Sequence, residues 1–302
     1  MIPVTIPSPI QEITEPFLEK KEIRLFLKRE DLIHPVVSGN KWRKLKYNLQ
    51  EAKAQNQTTL LSFGGAYSNH IHALSFAGKS FGFKTIGIIR GEKTLPLNPT
   101  LTYATEQGML LHYLSREEYR EKETASFLEK IKSVFGEVYI IPEGGKNNLA
   151  IKGCAEIPEE IEIDYDYLCT SCGTGTTMAG LIAGCHGKKS IIGFSALKGN
   201  FISSEVQILL NEFGNENTHK NWSVQNDYHF GGYAKTKKEL LDFINGFETT
   251  HQLPLEPVYI GKMLFGIYDL IEKGFFKKGS RIIALHTGGL QGNEGMKTIP
   301  AL

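Results

Sequence analysis

A short apolar run, a glycine turn and a helix-like stretch succeed one another along this chain, and that rhythm limits its fold more than any other feature. TTLLSFGGAYSN feeds IHALSFAGKSFG, and DYLCTSCGTGTT runs into MAGLIAGC. KTIGIIRG, EVYIIPEGG, KSIIGFSAL and SRIIALHTGG supply further strand candidates. Runs such as IIGF and IIAL do not alternate with polar residues, so they read as strands covered on both faces. Strands alternating with helices form parallel sheets with right-handed crossovers. The expectation is an α/β fold. A long helical stretch is expected over 117–135, ahead of EVYIIPEGG. A length of 302 residues suits two domains, or one large one.

In open parallel sheets the functional loops lie beyond the strand C-termini. This chain keeps its glycines there, at Gly64-Gly65, Gly144-Gly145, Gly173/Gly175 and Gly288-Gly289. Four such strand ends facing one crevice would make a site for a phosphorylated ligand. Composition removes other classes. The formal net charge is +1, with basic and acidic residues interspersed, so nothing draws the chain to nucleic acid or an acidic membrane. No apolar run approaches a membrane span, and MIPVTIPSPIQEI has no secretion-signal pattern. Four cysteines make no disulfide framework, so a reducing cytoplasm is expected.

The segment Ser171-Cys172-Gly173-Thr174-Gly175-Thr176-Thr177 follows an apolar strand and opens a helix. Its backbone N–H groups, the helix dipole and the hydroxyls of Thr174, Thr176 and Thr177 can cradle a phosphate. A plain strand-to-helix turn is the other reading. A dinucleotide fingerprint would need glycine where Met178 stands. Gly78-Lys79-Ser80 fails as a phosphate loop of the Walker type because Ala73 replaces its first glycine. Cys169 and Cys172 have no second ligand pair at zinc spacing, and His70 and His72 fall on different sides of a helix, so no metal is expected. Ser68-Asn69-His70 starts a helix, either as a cap or as a ligand contact. Tyr233, Tyr259 and Thr287 stand beside glycine turns, where each has an ordinary structural reading as well.

SGNKWRKLKYNLQEA contains a further signal. Trp42, Leu45, Leu49 and Ala52 give one apolar helical face, and Ser38 or Asn40 is placed to cap the helix. Lys41 therefore sits at the positive end of the helix dipole, where a cation is disfavoured. Either the placement is harmless or an easily deprotonated amine is wanted there.

The order LKREDL, SGNKWRKL, SFGGAYSNH, IPEGG, SCGTGTT, GGYA, PVYIGK, LHTGG spans about residues 27–289. It resembles the pyridoxal-phosphate family of 1-aminocyclopropane-1-carboxylate (ACC) deaminase and D-cysteine desulfhydrase. The glycine/threonine loop is shared more widely among fold type II enzymes, the tryptophan synthase β-like group. The resemblance implies two domains, each with a mostly parallel open sheet flanked by helices. Residues 1–41 and 144–302 would form the large domain and 42–143 the small one. It implies pyridoxal 5′-phosphate as cofactor, a small amino-acid substrate and a homodimer. Lys41 would be the lysine to which the cofactor attaches, its proton disfavoured by the dipole and by Lys44. Ser171, Cys172, Gly173, Thr174, Gly175, Thr176 and Thr177 would hold the phosphate. Asn69 would bond the ring hydroxyl oxygen and Thr287 would meet the ring nitrogen. Ser68 would lie beside the substrate carboxylate or Cα, with Tyr233 and Tyr259 lining the substrate face.

Three positions depart from the pattern. ACC deaminases carry Glu where this chain has Ile260. A hydroxyl from Thr287 in its place leaves the ring nitrogen mostly unprotonated, which suits α-proton removal and loss of a thiolate better than ring opening. Relatives usually have Gln at Tyr67 and Arg at His72, both flanking the carboxylate site. The expected activity is β-elimination of D-cysteine or a similar β-substituted amino acid to pyruvate, ammonia and sulfide. ACC deamination, a non-catalytic cofactor-carrying binding protein and a nicotinamide dehydrogenase are the alternatives.

Overall fold

The computed structural model describes residues 2–214 and 220–293. From the N-terminus come β1 (Ile10–Ile13), α1 (Pro16–Lys20), β2 (Arg24–Lys28) and α2 (Asn40–Ala54). Next are β3 (Thr59–Gly65), α3 (Asn69–Ser80), β4 (Lys84–Arg90), α4 (Pro99–Glu106), β5 (Leu110–Leu114), α5 (Ala125–Phe135) and β6 (Tyr139–Ile141). The chain continues through α6 (Asn148–Ala155), β7 (Tyr167–Cys172), α7 (Thr176–Cys185), β8 (Ser190–Ser195), α8 (Ile202–Glu212) and β9 (Trp222–Gln225). It closes with α9 (Lys238–His251), α10 (Ile260–Glu272) and β10 (Arg281–Leu285).

Among the described residues these strands build two sheets, ordered β1-β2-β10-β7-β8-β9 and β5-β4-β3-β6. Every pairing is parallel except β1 with β2. The unalternated apolar runs are explained by cover on both faces. Along β10, Ile282 and Ala284 pack into one core cluster and Ile283 and Leu285 into another, because successive side chains leave a strand on opposite sides. Leu60 and Leu61 of β3 divide likewise between two cores. Each such buried Ile or Leu contributes about 1.5–3 kcal/mol.

The helical stretch expected over 117–135 is broken. A short 3₁₀ turn, Glu118–Glu121, precedes α5, and the Thr124 hydroxyl accepts from the Phe127 N–H at 3.3 Å. A threonine that bonds its own backbone in this way starts a new helix rather than continuing the old turn.

Arg43 fixes α2. Its side chain is fully buried and donates to Glu30 at 2.9 and 3.0 Å and to Glu160 at 2.5 and 2.7 Å. Glu30 follows β2 and Glu160 follows α6, so one guanidinium ties three parts of the chain together behind Lys41. Removing a partner from such a buried cluster costs about 3–5 kcal/mol.

Candidate active site

The four glycine-rich strand ends do converge. Gly65, Gly144, Gly173, Gly175 and Gly288 all line one cavity of about 310 Å³. The start of α2 forms part of it. Gly39 has φ +61°, and a Cβ there would lie 1.9 Å from the Thr287 carbonyl oxygen, so α2 begins packed against the turn after β10. Neither Ser38 nor Asn40 caps this helix, contrary to the sequence expectation. Asn40 is turned toward α7 instead. Its Nδ2 donates to Thr177 Oγ1 at 2.9 Å, and its Oδ1 accepts from Lys41 Nζ at 2.7 Å.

Lys41 is depressed to about 7, by burial first and by the charge of Lys44 second. Burial thus outweighs the like charge read from the sequence. Lys44 is itself buried, with Nζ donating to the Gly144 carbonyl at 3.2 Å.

The turn between β7 and α7 is a cradle of unused donors. Among the described residues, the backbone N–H groups of Gly173, Thr174, Gly175, Thr176 and Thr177 have no protein acceptor. Gly175 has φ +76°, in the left-handed region that lets successive amides turn inward. The side chains of Ser171, Thr174 and Thr177 reach the cavity, while Cys172 and Thr176 stand outside its lining. The Cys172 sulfur packs on Met178 at 3.6 Å, and Thr176 pairs with Thr174 at 3.0 Å. Cys169 is strand core, and all four thiols are buried and unpaired.

At α3, Ser68 both caps the helix and faces the cavity. Its hydroxyl accepts from the Ile71 N–H at 3.2 Å. The N–H groups of Asn69 and His70 have no acceptor among the described residues. Asn69 lines the cavity, and its Oδ1 accepts from Gln291. His70 Nε2 meets Ser62 Oγ at 3.0 Å, and Ser62 in turn donates to the Ile141 carbonyl at 2.7 Å. The ring therefore donates through Nε2, leaving Nδ1 buried without a partner. Burial, with Lys41 and Lys44 nearby, lowers this histidine to about 3 and keeps it neutral. His72 does not line the cavity. It stacks on Tyr103 with ring centroids 4.3 Å apart, so the expected flanking role is corrected. A residue two positions on from His70 leaves the helix on another side.

Tyr259 and Tyr233 wall the open side, edge to face at 6.1 Å. Burial and the neighbouring Tyr233 hold the Tyr259 hydroxyl well above the usual tyrosine range, hence protonated. Two buried charges that the sequence reading passed over set these rings. Lys262 Nζ donates to the carbonyls of His229 and Gly232, each at 2.8 Å, and so holds the turn that carries Tyr233. Glu256 accepts from the N–H groups of Val258, Tyr259 and Ile260 at 2.7, 2.8 and 2.6 Å. Burial pushes this carboxyl up to about 7 against the pull of those donors. An acid ahead of an apolar helix is a capping signal that could have revealed Glu256. Ile260 is fully buried in the core. Arg90, at the end of β4, and Glu143 also border the cavity.

This donor set fits pyridoxal phosphate. The cradle offers open amides to a phosphate, Lys41 offers an amine that sheds its proton near neutrality, and His70 Nδ1 is an orphaned acceptor in the wall.

A family model described as pyridoxal-phosphate dependent enzyme matches residues 3–288. The bifunctional D-cysteine desulfhydrase/1-aminocyclopropane-1-carboxylate deaminase of Arabidopsis thaliana is 30% identical, over 95% of this chain and 77% of its own. The 1-aminocyclopropane-1-carboxylate deaminase of Bradyrhizobium diazoefficiens is 27% identical, over 96% of this chain and 94% of its own. The crystal structure of an ACC deaminase homologue superposes with a TM-score of 0.84 at 26% identity, covering 98% of this chain and 94% of that one. The chain belongs to the pyridoxal-phosphate-dependent enzymes of fold type II, in the group of ACC deaminase and D-cysteine desulfhydrase.

Proposed function

We propose that this enzyme removes a β-substituent from D-cysteine or a closely similar amino acid, giving pyruvate, ammonia and sulfide. The observation that carries the reading is Lys41, an amine lowered to about 7 by burial first, in a cavity whose lining also includes Thr287. When bound, pyridoxal phosphate supplies an electron-withdrawing ring that takes up the electron pair left at Cα. Lys41 would hold the cofactor, and its amine is the base that would take the Cα proton.

The residues around it divide the remaining work. The open amides of 173–177, with Ser171, Thr174 and Thr177, hold the phosphate. Cys172 contributes packing beneath the loop and Thr176 its N–H group. Asn69 donates to the ring hydroxyl oxygen, with its amide oriented by Gln291. The hydroxyl of Thr287, a residue of the cavity lining, would meet the ring nitrogen in place of an acid and so would suit loss of a good leaving group such as thiolate. The free N–H groups of Asn69 and His70, with Ser68, orient the α-carboxylate. Tyr233 and Tyr259 cover the substrate face and exclude water.

The division into 1–41 with 144–302 and 42–143 belongs to the same reading, supported by the separate sheets, as do a homodimer and a cytoplasmic setting. No helix among the described residues is long and apolar enough to cross a membrane. ACC deamination is the second reading, favoured by the names of the relatives. The deciding experiment measures sulfide and pyruvate from D-cysteine beside L-cysteine and ACC. Release from D-cysteine is the expected result. Turnover of ACC alone would overturn it in favour of the second reading.

A further inference from the structure

The adjoining cavity beyond Tyr259 contains a cation with nothing to hold. Arg90 ends β4, in register with Gly65 of β3. A Cβ on Gly65 would lie 3.7 Å from its Nη2, so the guanidinium stretches across the strand end toward the N-terminus of α3. Its carbon stands 5.9 Å from the Tyr119 ring centroid, a cation–π contact that steadies it. Among the described residues it makes no hydrogen bond and has no acid within ion-pair distance. The acids that border the two cavities are engaged elsewhere: Glu143 of the main cavity accepts from the Tyr119 hydroxyl at 2.9 Å and lies 3.4 Å from Lys122, and Glu256 of the adjoining one accepts from three backbone N–H groups. Arg90 borders both the main cavity and an adjoining one of about 180 Å³, whose walls include Tyr67, Tyr233 and Val258.

The reaction read above leaves this charge unused. The cofactor phosphate has the amides of 173–177, and the α-carboxylate has the open N–H groups of α3. An exposed guanidinium, unpaired among the described residues, at the mouth of a second, largely apolar cavity is a fork for one more planar or tetrahedral anion. We propose that Arg90 makes the enzyme select amino acids that carry a second acidic group, on the side chain or on the departing β-substituent. The adjoining cavity takes the segment that links this group to Cβ. The inference rests on the lyase reading and names its substrate class: β-substituted amino acids with an anionic far end, ahead of neutral ones such as cysteine itself.

A matched pair of esters tests it. O-Acetylserine and O-succinylserine lose the same kind of leaving group, a carboxylate, but only the second ends in a further acid. Both enantiomers of each are assayed for pyruvate by the holoenzyme. Wild type should prefer the succinyl ester in kcat/KM. Arg90→Gln should lower the succinyl-to-acetyl ratio by about 10- to 100-fold, the range for losing one charge-assisted pair, and Arg90→Lys should restore part of it. A ratio that Arg90→Gln leaves unmoved would overturn the proposal, whether both esters fall together or neither does. Binding of D-aspartate against D-alanine, followed by the cofactor absorbance, tests Arg90 without turnover. Tighter binding of D-aspartate, lost in Arg90→Gln, supports the assignment even if neither ester reacts, and equal binding rejects it. A protein that binds D-aspartate selectively but eliminates nothing would instead refute the lyase reading.

Discussion

The helices α7 and α10 both begin beside the cavity, at Thr177 and Tyr259, and the chain finishes them in opposite ways. Before α10 it places Glu256, whose carboxylate accepts from the amides of Val258, Tyr259 and Ile260 at the entry to the helix. Before α7 it places Gly-Thr-Gly, and five successive amides are left open. Both helix ends carry the same partial positive charge. What differs is whether the sequence supplies an internal acceptor. One end is a finished structural joint; the other keeps its donors open toward the cavity. Amides left unpaired away from water cost about 1–3 kcal/mol each, so the fold should gain markedly when the cofactor phosphate arrives.

Changing Lys41 to Ala separates the amine of α2 from the amides of α7 and should have the largest effect. Turnover should fall by about 10³-fold or more, and borohydride should no longer fix the cofactor by mass spectrometry. Reversible binding of pyridoxal phosphate should persist, because the cradle is intact. Filling the open helix end comes next. Gly173→Asp brings an acid to α7, as Glu256 does at α10, and should weaken cofactor affinity by about 100-fold in an absorbance titration. Unaltered affinity would mean the cradle is only a turn.

Emptying the closed end is the converse. Glu256→Ala strands three amides and should cost about 2 kcal/mol in urea unfolding, with the Tyr259 wall loosened. A pH series sharpens the role of burial at α2. Capture of pyridoxal phosphate by the cofactor-free protein requires the neutral amine, so its rate should climb as pH rises and level off above about 7. A plateau only near 10, the range of an ordinary lysine, would show that Lys41 is not desolvated in solution. The smallest effect belongs to His72→Arg. Its ring stacks on Tyr103 outside the cavity, so kcat/KM should move by less than about threefold.

Much of this was legible in the sequence because it is local. Apolar runs ending in glycines located the cavity, and the loop of 171–177 carries its own amides wherever it is placed. Lys41 stood out because a helix start is a poor position for a cation. What escaped the reading depends on distant partners. Asn40 looked like a cap, but its amide answers to Thr177 across 137 positions of sequence. The helix over 117–135 looked continuous because its apolar spacing hid the cap at Thr124. Arg90 and Lys262 have no local motif. Their meaning comes from the strand end and the turn that the fold sets beside them.

The Asn40 tether has a consequence for how the enzyme is loaded. A free lysine side chain wanders among many rotamers, and stilling it costs about 2 kcal/mol. Here the amide of Asn40, itself moored to Thr177, has already chosen the orientation of the amine. The chain surrenders that freedom once, while folding, so the amine is already oriented before any cofactor binds. In the proposed reading Thr177 also belongs to the phosphate cradle, so the residue that would hold one end of the cofactor also steadies, through Asn40, the amine that would meet the other.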